Sequence, residues 1–330
     1  MIVLCTGTSG SGQREYLQKV ADVVGEDPIK PRIYDIGDKM QQVAQDSGRP
    51  IPDVKLLDIG PVQELLSGWA FERVNSEIRS CPDDAVSIVV AHACFRRRNI
   101  LYPGFPVACV KLLDPDMVIT IVDDIASVRA RLNQHRVWSM WCQPTDLSCW
   151  REEEILVSLI LARFQQAAYY VIPQAEPPIT LYNLLYHTSM KKIYLSYPIT
   201  NIMRDQEKSE SYLTELDKLK DTLRQHFIVF DPLSIKDLQI VPENADESVE
   251  QALAGQTVAR DYMFVDQSDL VVVYYPVHER SLGVAAEMRH AKQFGKTVHA
   301  FVEEGSPFLG EFIDRKYGST DDLITGLLDQ

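Results

Sequence analysis

The sequence predicts an α/β fold made of two tandem domains, each with a parallel sheet, and three observations carry that expectation. Apolar runs that are hydrophobic throughout, rather than alternating, recur along the chain and end in small or turn residues, as strands covered on both faces do. Helical patterns separate most of these runs, which is the order of an α/β protein. The length of 330 residues exceeds one ordinary core and suits two domains of roughly 150 residues each.

In order, the strands fall at Ile2–Thr6, Ser87–Ala91, Met117–Val122 and Tyr169–Pro173, then at Lys192–Ser196, Phe227–Phe230, Leu270–Tyr275 and Thr297–Val302. Between the two groups, Pro173–Leu181 carries three prolines and no clear period, and a fresh strand opens at Lys192. The boundary is expected near residue 188, giving domains 1–188 and 189–330. No internal repeat relates them, so they read as two unrelated Rossmann-like layers joined in tandem.

Hydrophobic residues make up 45% of the chain and charged residues 24%, the balance of a soluble globular protein. The net charge is -14 without an acidic tail or a basic arm, and Arg96, Arg97 and Arg98 form the only dense basic run. A duplex-binding groove, and with it a nucleic-acid partner, is excluded on that account. The six cysteines include no CxxC pair and no zinc-type spacing, so free thiols in a reducing compartment are expected, with no metal site. No run of 18 apolar residues occurs, and the first residues form an apolar strand without a basic lead. A cytoplasmic protein with no membrane partner is the expectation.

The first strand runs into Gly7-Thr8-Ser9-Gly10-Ser11-Gly12-Gln13-Arg14, followed by a helix from about Glu15 to Val24. A strand, a glycine-rich turn and a helix N-terminus together present backbone N–H groups to phosphate. Gly7, Gly10, Gly12, Gln13 and Arg14 are therefore candidate nucleotide-binding residues. Gln13 and Arg14 stand where this motif needs Lys and Ser or Thr, which removes the ammonium that bridges phosphates and the hydroxyl that holds magnesium.

Together with Ile88–Ala93, Tyr102–Pro106, Pro115–Ile119, Arg129 and Arg131, this loop resembles the archaeal type of adenylate kinase over about residues 1 to 172. That family carries an acidic residue before the histidine, where this chain has Val90 and Ala91. Its arginine-rich lid corresponds to Gln134–Trp150, which keeps Arg136 but is rich in Trp and Cys. The resemblance implies a nucleotide-binding domain, with ATP or another nucleotide as candidate ligand, stripped of its phosphoryl-transfer groups. An active monophosphate kinase using Arg14 and Arg136 is the alternative.

In the second half, Lys192–Ile199 is a strand ending in a turn, Asp261 lies eight residues before Asp269, and Ser281–Ala291 begins a helix that ends in a Gly-Lys turn. Arg260-Asp261 reads as the opening of an element and Glu287 as a helix-start acid. Jointly these resemble the nucleoside 2-deoxyribosyltransferase superfamily across residues 190 to 304. The resemblance implies that Glu287 attacks the anomeric carbon, that Asp261 handles the proton of the departing base, and that Tyr194 orients the nucleophile. No cofactor is required for such cleavage. Each residue also has a structural alternative: a helix-dipole carboxylate for Glu287, an exposed first-turn acid for Asp261, a strand aromatic for Tyr194.

Ser281 stands six residues before Glu287, where transferases acting on free nucleosides carry aspartate. A serine there, in the run Ser281–Val284, is similar to the 2'-deoxynucleoside 5'-phosphate N-hydrolases, since a hydroxyl accepts a phosphate that a carboxylate repels. Ser281, Gly283, Ser196, Pro198 and Arg204 are the implied substrate-binding residues, with Ser306 near a second phosphate position. The segment after the strand lacks that family's glycines, which leaves Arg204 as the phosphate contact. The implied substrate is a small deoxynucleoside monophosphate, and the resemblance further implies a homo-oligomer. A non-catalytic nucleotide sensor is the remaining alternative.

Overall fold

The computed structural model describes residues 1–23, 30–48, 50, 61–81, 85–97, 100–134, 143–204, 208–235, 247–303 and 307–329. Two compact units result: Met1–Pro178 with Ile235–Leu253, and Ile179–Ser234 with Ala254–Gln330. Arg136 and Ser306 lie outside the described residues, as do the Arg98 position of the basic run and Cys142.

The first unit runs β1 (Ile2–Thr6), α1 (Gln13–Val23), β2 (Arg32–Asp35), α2 (Ile36–Asp46), α3 (Pro61–Arg79), β3 (Ser87–Val90), β4 (Cys94–Arg97), β5 (Ile100–Pro103), α4 (Val107–Leu113), β6 (Met117–Val122), α5 (Ile125–Asn133), α6 (Pro144–Gln165) and β7 (Ala168–Pro173). Its sheet has the order β2-β3-β1-β6-β7 with every pairing parallel. Val3, Leu4 and Cys5 of β1 are buried, as are Ile88 and Val89 of β3 and Val118 and Ile119 of β6, which accounts for their unbroken hydrophobicity. Helices α2, α3 and α4 cover one face through Met40, Phe71, Val74 and Val110.

The second unit takes α7 (Pro178–Tyr186) from Ile179 on, β8 (Lys192–Ser196), α8 (Ile199–Arg204), α9 (Ser209–His226), β9 (Ile228–Phe230), α10 (Glu247–Asp266) from Ala254 on, β10 (Leu270–Tyr275), α11 (Leu282–Gln293), β11 (Thr297–Val302), α12 (Pro307–Gly310), β12 (Arg315–Tyr317) and α13 (Thr320–Leu328). The order β12-β11-β10-β8-β9 is again wholly parallel. Its first strand lies between its second and third, which makes the gap between β8 and β10 the switch point where α/β sheets receive ligands. The protein is thus α/β with two tandem Rossmann-like parallel sheets. No helix among the described residues is long and apolar enough to cross a membrane.

All eight strands expected from the sequence are present, with ends displaced by no more than one residue. Four others are added. β2 and β12 are sheet edges that carry charged residues, Arg32 and Asp35 in one and Arg315 and Lys316 in the other. Charge on an edge strand discourages pairing with another chain and also erases the apolar run that betrays a strand. β4 and β5 form an antiparallel hairpin, with Arg96 and Arg97 in its first strand.

Candidate functional site

Tyr194 and Ser196 are two residues apart on β8, so both project from the same face of the sheet. Both are fully buried. α11 packs through Val284, Met288 and Ala291, and Glu287, three residues after Val284 and four before Ala291, shares that stripe. The helix therefore carries a carboxylate inward where an apolar side chain is the rule. Ser281 caps α11, accepting from the Val284 amide at 3.4 Å, so Glu287 lies mid-helix, not at the start as the sequence reading had it. The first-turn dipole alternative does not describe its surroundings.

The Ser196 hydroxyl donates to Glu287 Oε2 at 2.5 Å. Burial raises the Glu287 carboxyl from its ordinary 4.5 to about 7, the Asp261 charge adds to that rise, and the bond from Ser196 opposes it. Glu287 stays half-buried by surface area, so the carboxyl is enclosed while the side chain keeps some contact with solvent. The Tyr194 hydroxyl is near enough for the charges of Glu287 and Asp261 to push it, already raised by burial, well above its usual range. Its hydrogen bond to Glu287 lowers the Glu287 titration together with that from Ser196, although its geometry is not ideal.

Asp261 does not open an element; it sits in the last turns of α10, five residues from the end. Burial lifts its carboxyl from 3.8 to about 6 against the pull of Arg260, whose NH2 lies 3.2 Å from Asp261 Oδ1. Two carboxyls whose charges sense one another thus titrate between about 6 and about 7. Such a pair holds a single proton near neutrality, mostly on Glu287, so the form with Glu287 ionised and Asp261 protonated is the minor arrangement of that proton.

Around this centre, Ser281 N donates to Tyr275 Oη at 2.7 Å, and Tyr275 Oη donates to the Glu279 carbonyl at 2.6 Å. The capping residue is thereby fixed while its hydroxyl proton stays available. Gly283 follows, exposed, in the first turn of α11. Pro198 is buried and starts α8, its carbonyl accepting from Ile202 N at 2.9 Å. Arg204 closes α8, and its side chain lies outside the described residues.

A second cluster was not read from the sequence. Lys220 Nζ lies 2.7 Å from Asp231 Oδ2 and donates to Tyr197 Oη at 3.1 Å, while Tyr197 Oη donates to Asp231 Oδ1 at 2.5 Å. All three residues are buried. Asp231 directly follows β9 and Tyr197 follows β8, so the triad ties the turn beside Ser196 to the neighbouring strand. An acid immediately after a strand was the available signal.

In the first unit, the glycine-rich loop closes over a cavity of about 460 Å³. Gly10 and Gly12 have φ of 81° and 80°, a backbone that favours glycine. A Cβ on Gly7 would meet the Ile121 carbonyl at 2.6 Å and Ser11 Oγ at 2.8 Å. α1 begins at Gln13, whose side-chain amide turns to the Ala91 carbonyl at 3.4 Å. Arg14 pairs with Asp35 and Asp38, each at 2.7 Å. From below, Glu154 accepts from the amides of Gly7, Ala93 and Cys94 at 2.9, 2.7 and 2.9 Å.

No family model matches the chain. An adenylate kinase of Methanococcus vannielii is 25% identical over 124 residues, 37% of this chain and 62% of that enzyme, so less than two thirds of the relative is spanned. Among solved structures, a conserved protein of Enterococcus faecalis V583 aligns over 42% of this chain and 98% of its own with 19% identity and a TM-score of 0.32. A 2-deoxyribosyltransferase of Bacillus psychrosaccharolyticus aligns over 40% and 90% with 18% identity and a TM-score of 0.31. A CMP N-glycosidase of Clostridium botulinum, BcmB, aligns over 42% and 100% with 15% identity and a TM-score of 0.26. The two-part resemblance read from the sequence recurs in these matches. Overlaps this loose leave the chemistry to be read from the residues.

Proposed function

We propose that the second unit cleaves the N-glycosidic bond of a 2'-deoxynucleoside 5'-monophosphate, with Glu287 as nucleophile. The observation that carries this reading is the pair Glu287 and Asp261, two enclosed carboxyls at a sheet switch point with raised titrations of about 7 and about 6. Ser196 occupies Glu287 Oε2, which leaves Oε1 to bond the anomeric carbon. As that bond forms, the glycosidic C–N bond breaks, its electron pair departs with the base, and Asp261 supplies the proton. Water then attacks the anomeric carbon, Asp261 takes its proton, and the sugar phosphate leaves Glu287. Tyr194 lies beside the nucleophile and orients it.

The N-terminus of α11 supports the phosphate assignment. Its first amides lack intrahelical acceptors, Gly283 offers unobstructed backbone, and Ser281 has a hydroxyl proton to give. Transfer to a second base instead of water uses the same glutamyl-sugar intermediate. Incubating the protein with a panel of deoxynucleoside monophosphates should release free base, detected by mass, and Glu287→Ala should abolish it. Intact substrates after long incubation with wild-type protein would overturn the reading.

A further inference from the structure

The resemblance of the first unit implies a magnesium–triphosphate on the glycine-rich loop, and the residues do not fit one. Gln13 replaces the phosphate-bridging lysine and turns toward the Ala91 carbonyl. Arg14 replaces the magnesium-holding hydroxyl and is drawn off by Asp35 and Asp38. The end of β3, where an acid is required, is Val90 and Ala91, both buried. The charged side chains lining the cavity are Arg14 and Arg131 against Glu15 and Asp35, which cancel. Arg131 is itself held by Asp123 at 2.7 Å and by the Gly10 carbonyl at 2.6 Å. Among the described residues lining the cavity, no cation is left free to neutralise a triphosphate.

What the cavity does offer is matched to a smaller anion. The first amides of α1 have no intrahelical acceptor, and the positive end of the helix favours one phosphate group. Ser11 lines the cavity, is 1% exposed, and its hydroxyl has no hydrogen-bond partner among the described residues. A buried hydroxyl left unsatisfied destabilises the fold, a penalty that a phosphate oxygen would remove. Away from the loop the wall becomes apolar, with Ile36, Met40 and Phe105, and the Gln63 amide stands among them. That combination suits a planar base. The volume of about 460 Å³ falls within the range of small-ligand sites.

We infer that the first unit binds a nucleoside monophosphate without magnesium, its phosphate seated on the 7–14 loop and its base against α2 and Phe105. This does not depend on the second unit's chemistry. The test is hydrogen–deuterium exchange on the full chain, read on peptides covering residues 7–16 and 88–95. The probes are AMP, GMP, CMP and UMP in EDTA, and ATP with magnesium.

At least one monophosphate should protect both peptides in EDTA, with no further gain from magnesium, and ATP with magnesium should protect them less. Ser11→Ala should weaken that binding about fivefold, the worth of one neutral hydrogen bond. Glu287→Gln should leave the protection intact, which separates this site from the second unit. Absence of loop protection by every monophosphate, protection that requires magnesium, or stronger protection by ATP with magnesium would overturn the inference. Unchanged affinity in Ser11→Ala would overturn the role given to that hydroxyl.

Discussion

Replacing Glu287 with Gln should stabilise the second unit above neutral pH, even as it removes the proposed nucleophile. The Glu287 carboxyl titrates at about 7 in the fold against 4.5 ordinarily, chiefly because of burial. A carboxyl raised in this way favours the fold fully below pH 4.5, and the advantage is lost as pH climbs through about 7. Each pH unit of displacement is worth about 1.4 kcal/mol, so the upper limit is about 3 kcal/mol. The side chain keeps some solvent contact, so we expect about 1–3 kcal/mol.

Glutamine keeps the shape and an acceptor for Ser196 but never ionises. The assay is urea unfolding of wild type and Glu287→Gln at pH 4.5 and pH 8. All four tryptophans, Trp69, Trp138, Trp141 and Trp150, precede the second unit, so their emission follows the first unit and serves as an internal reference. The circular-dichroism transition that tryptophan emission does not follow should move to higher urea in the variant at pH 8 and hardly at all at pH 4.5. A variant–wild-type difference that is the same at both pH values would refute the enclosed, proton-holding carboxyl.

Base release should follow a bell-shaped pH profile with limbs near 6 and near 7, since below both values neither carboxyl can attack and above both neither can donate. Initial rates from pH 5 to 9 test this, and a flat profile across that range counts against the pair. Ser196→Ala removes a bond that favours the charged carboxylate, so the Glu287 titration and with it the upper limb should move upward, and the rate at pH 6 should fall about 10-fold or more while the rate at pH 8 falls less. Equal losses at both pH values would mean that Ser196 contacts the substrate instead. Asp231→Ala strands a buried ammonium at Lys220 and should cost about 3–5 kcal/mol, with Lys220→Met in the same chain recovering much of it. Additive losses in the denaturation cycle would show that the two side chains do not interact.

The interior of both sheets was legible because a parallel strand covered on two faces must be apolar at every position, as Leu270–Tyr275 is. The edges were not, for edge strands such as Arg32–Asp35 carry the charges that keep them from pairing further. Glu287 and Asp261 were legible as residues and misplaced as positions. α10 shows almost no amphipathic periodicity, so nothing marked Asp261 as the late part of a long helix. The bond from Ser196 to Glu287 could not be read from the sequence because the two residues lie 91 apart in the chain. The Lys220–Asp231 pair joins α9 to the residue after β9, and composition alone gives no sign that a lysine on an amphipathic helix faces inward.

Glu154 in the first unit and Glu287 in the second are both enclosed glutamates, and they differ in the donors around them. Glu154 accepts from three backbone amides, two on Oε1 and one on Oε2, and from the Cys94 thiol on Oε2. Burial raises its titration, but the three amides and the nearby His92 oppose that rise. With donors on both oxygens, it fastens the start of the glycine-rich loop to the segment after β3. Glu287 is met by hydroxyls instead of amides, Ser196 on Oε2 and Tyr194 beside it, and the Asp261 charge works against its ionisation. A carboxylate held by three amides fastens backbone in place, whereas the proposed nucleophile is met by hydroxyls that can shift with a substrate; the sequence shows the same residue type in both places, and the donors distinguish them.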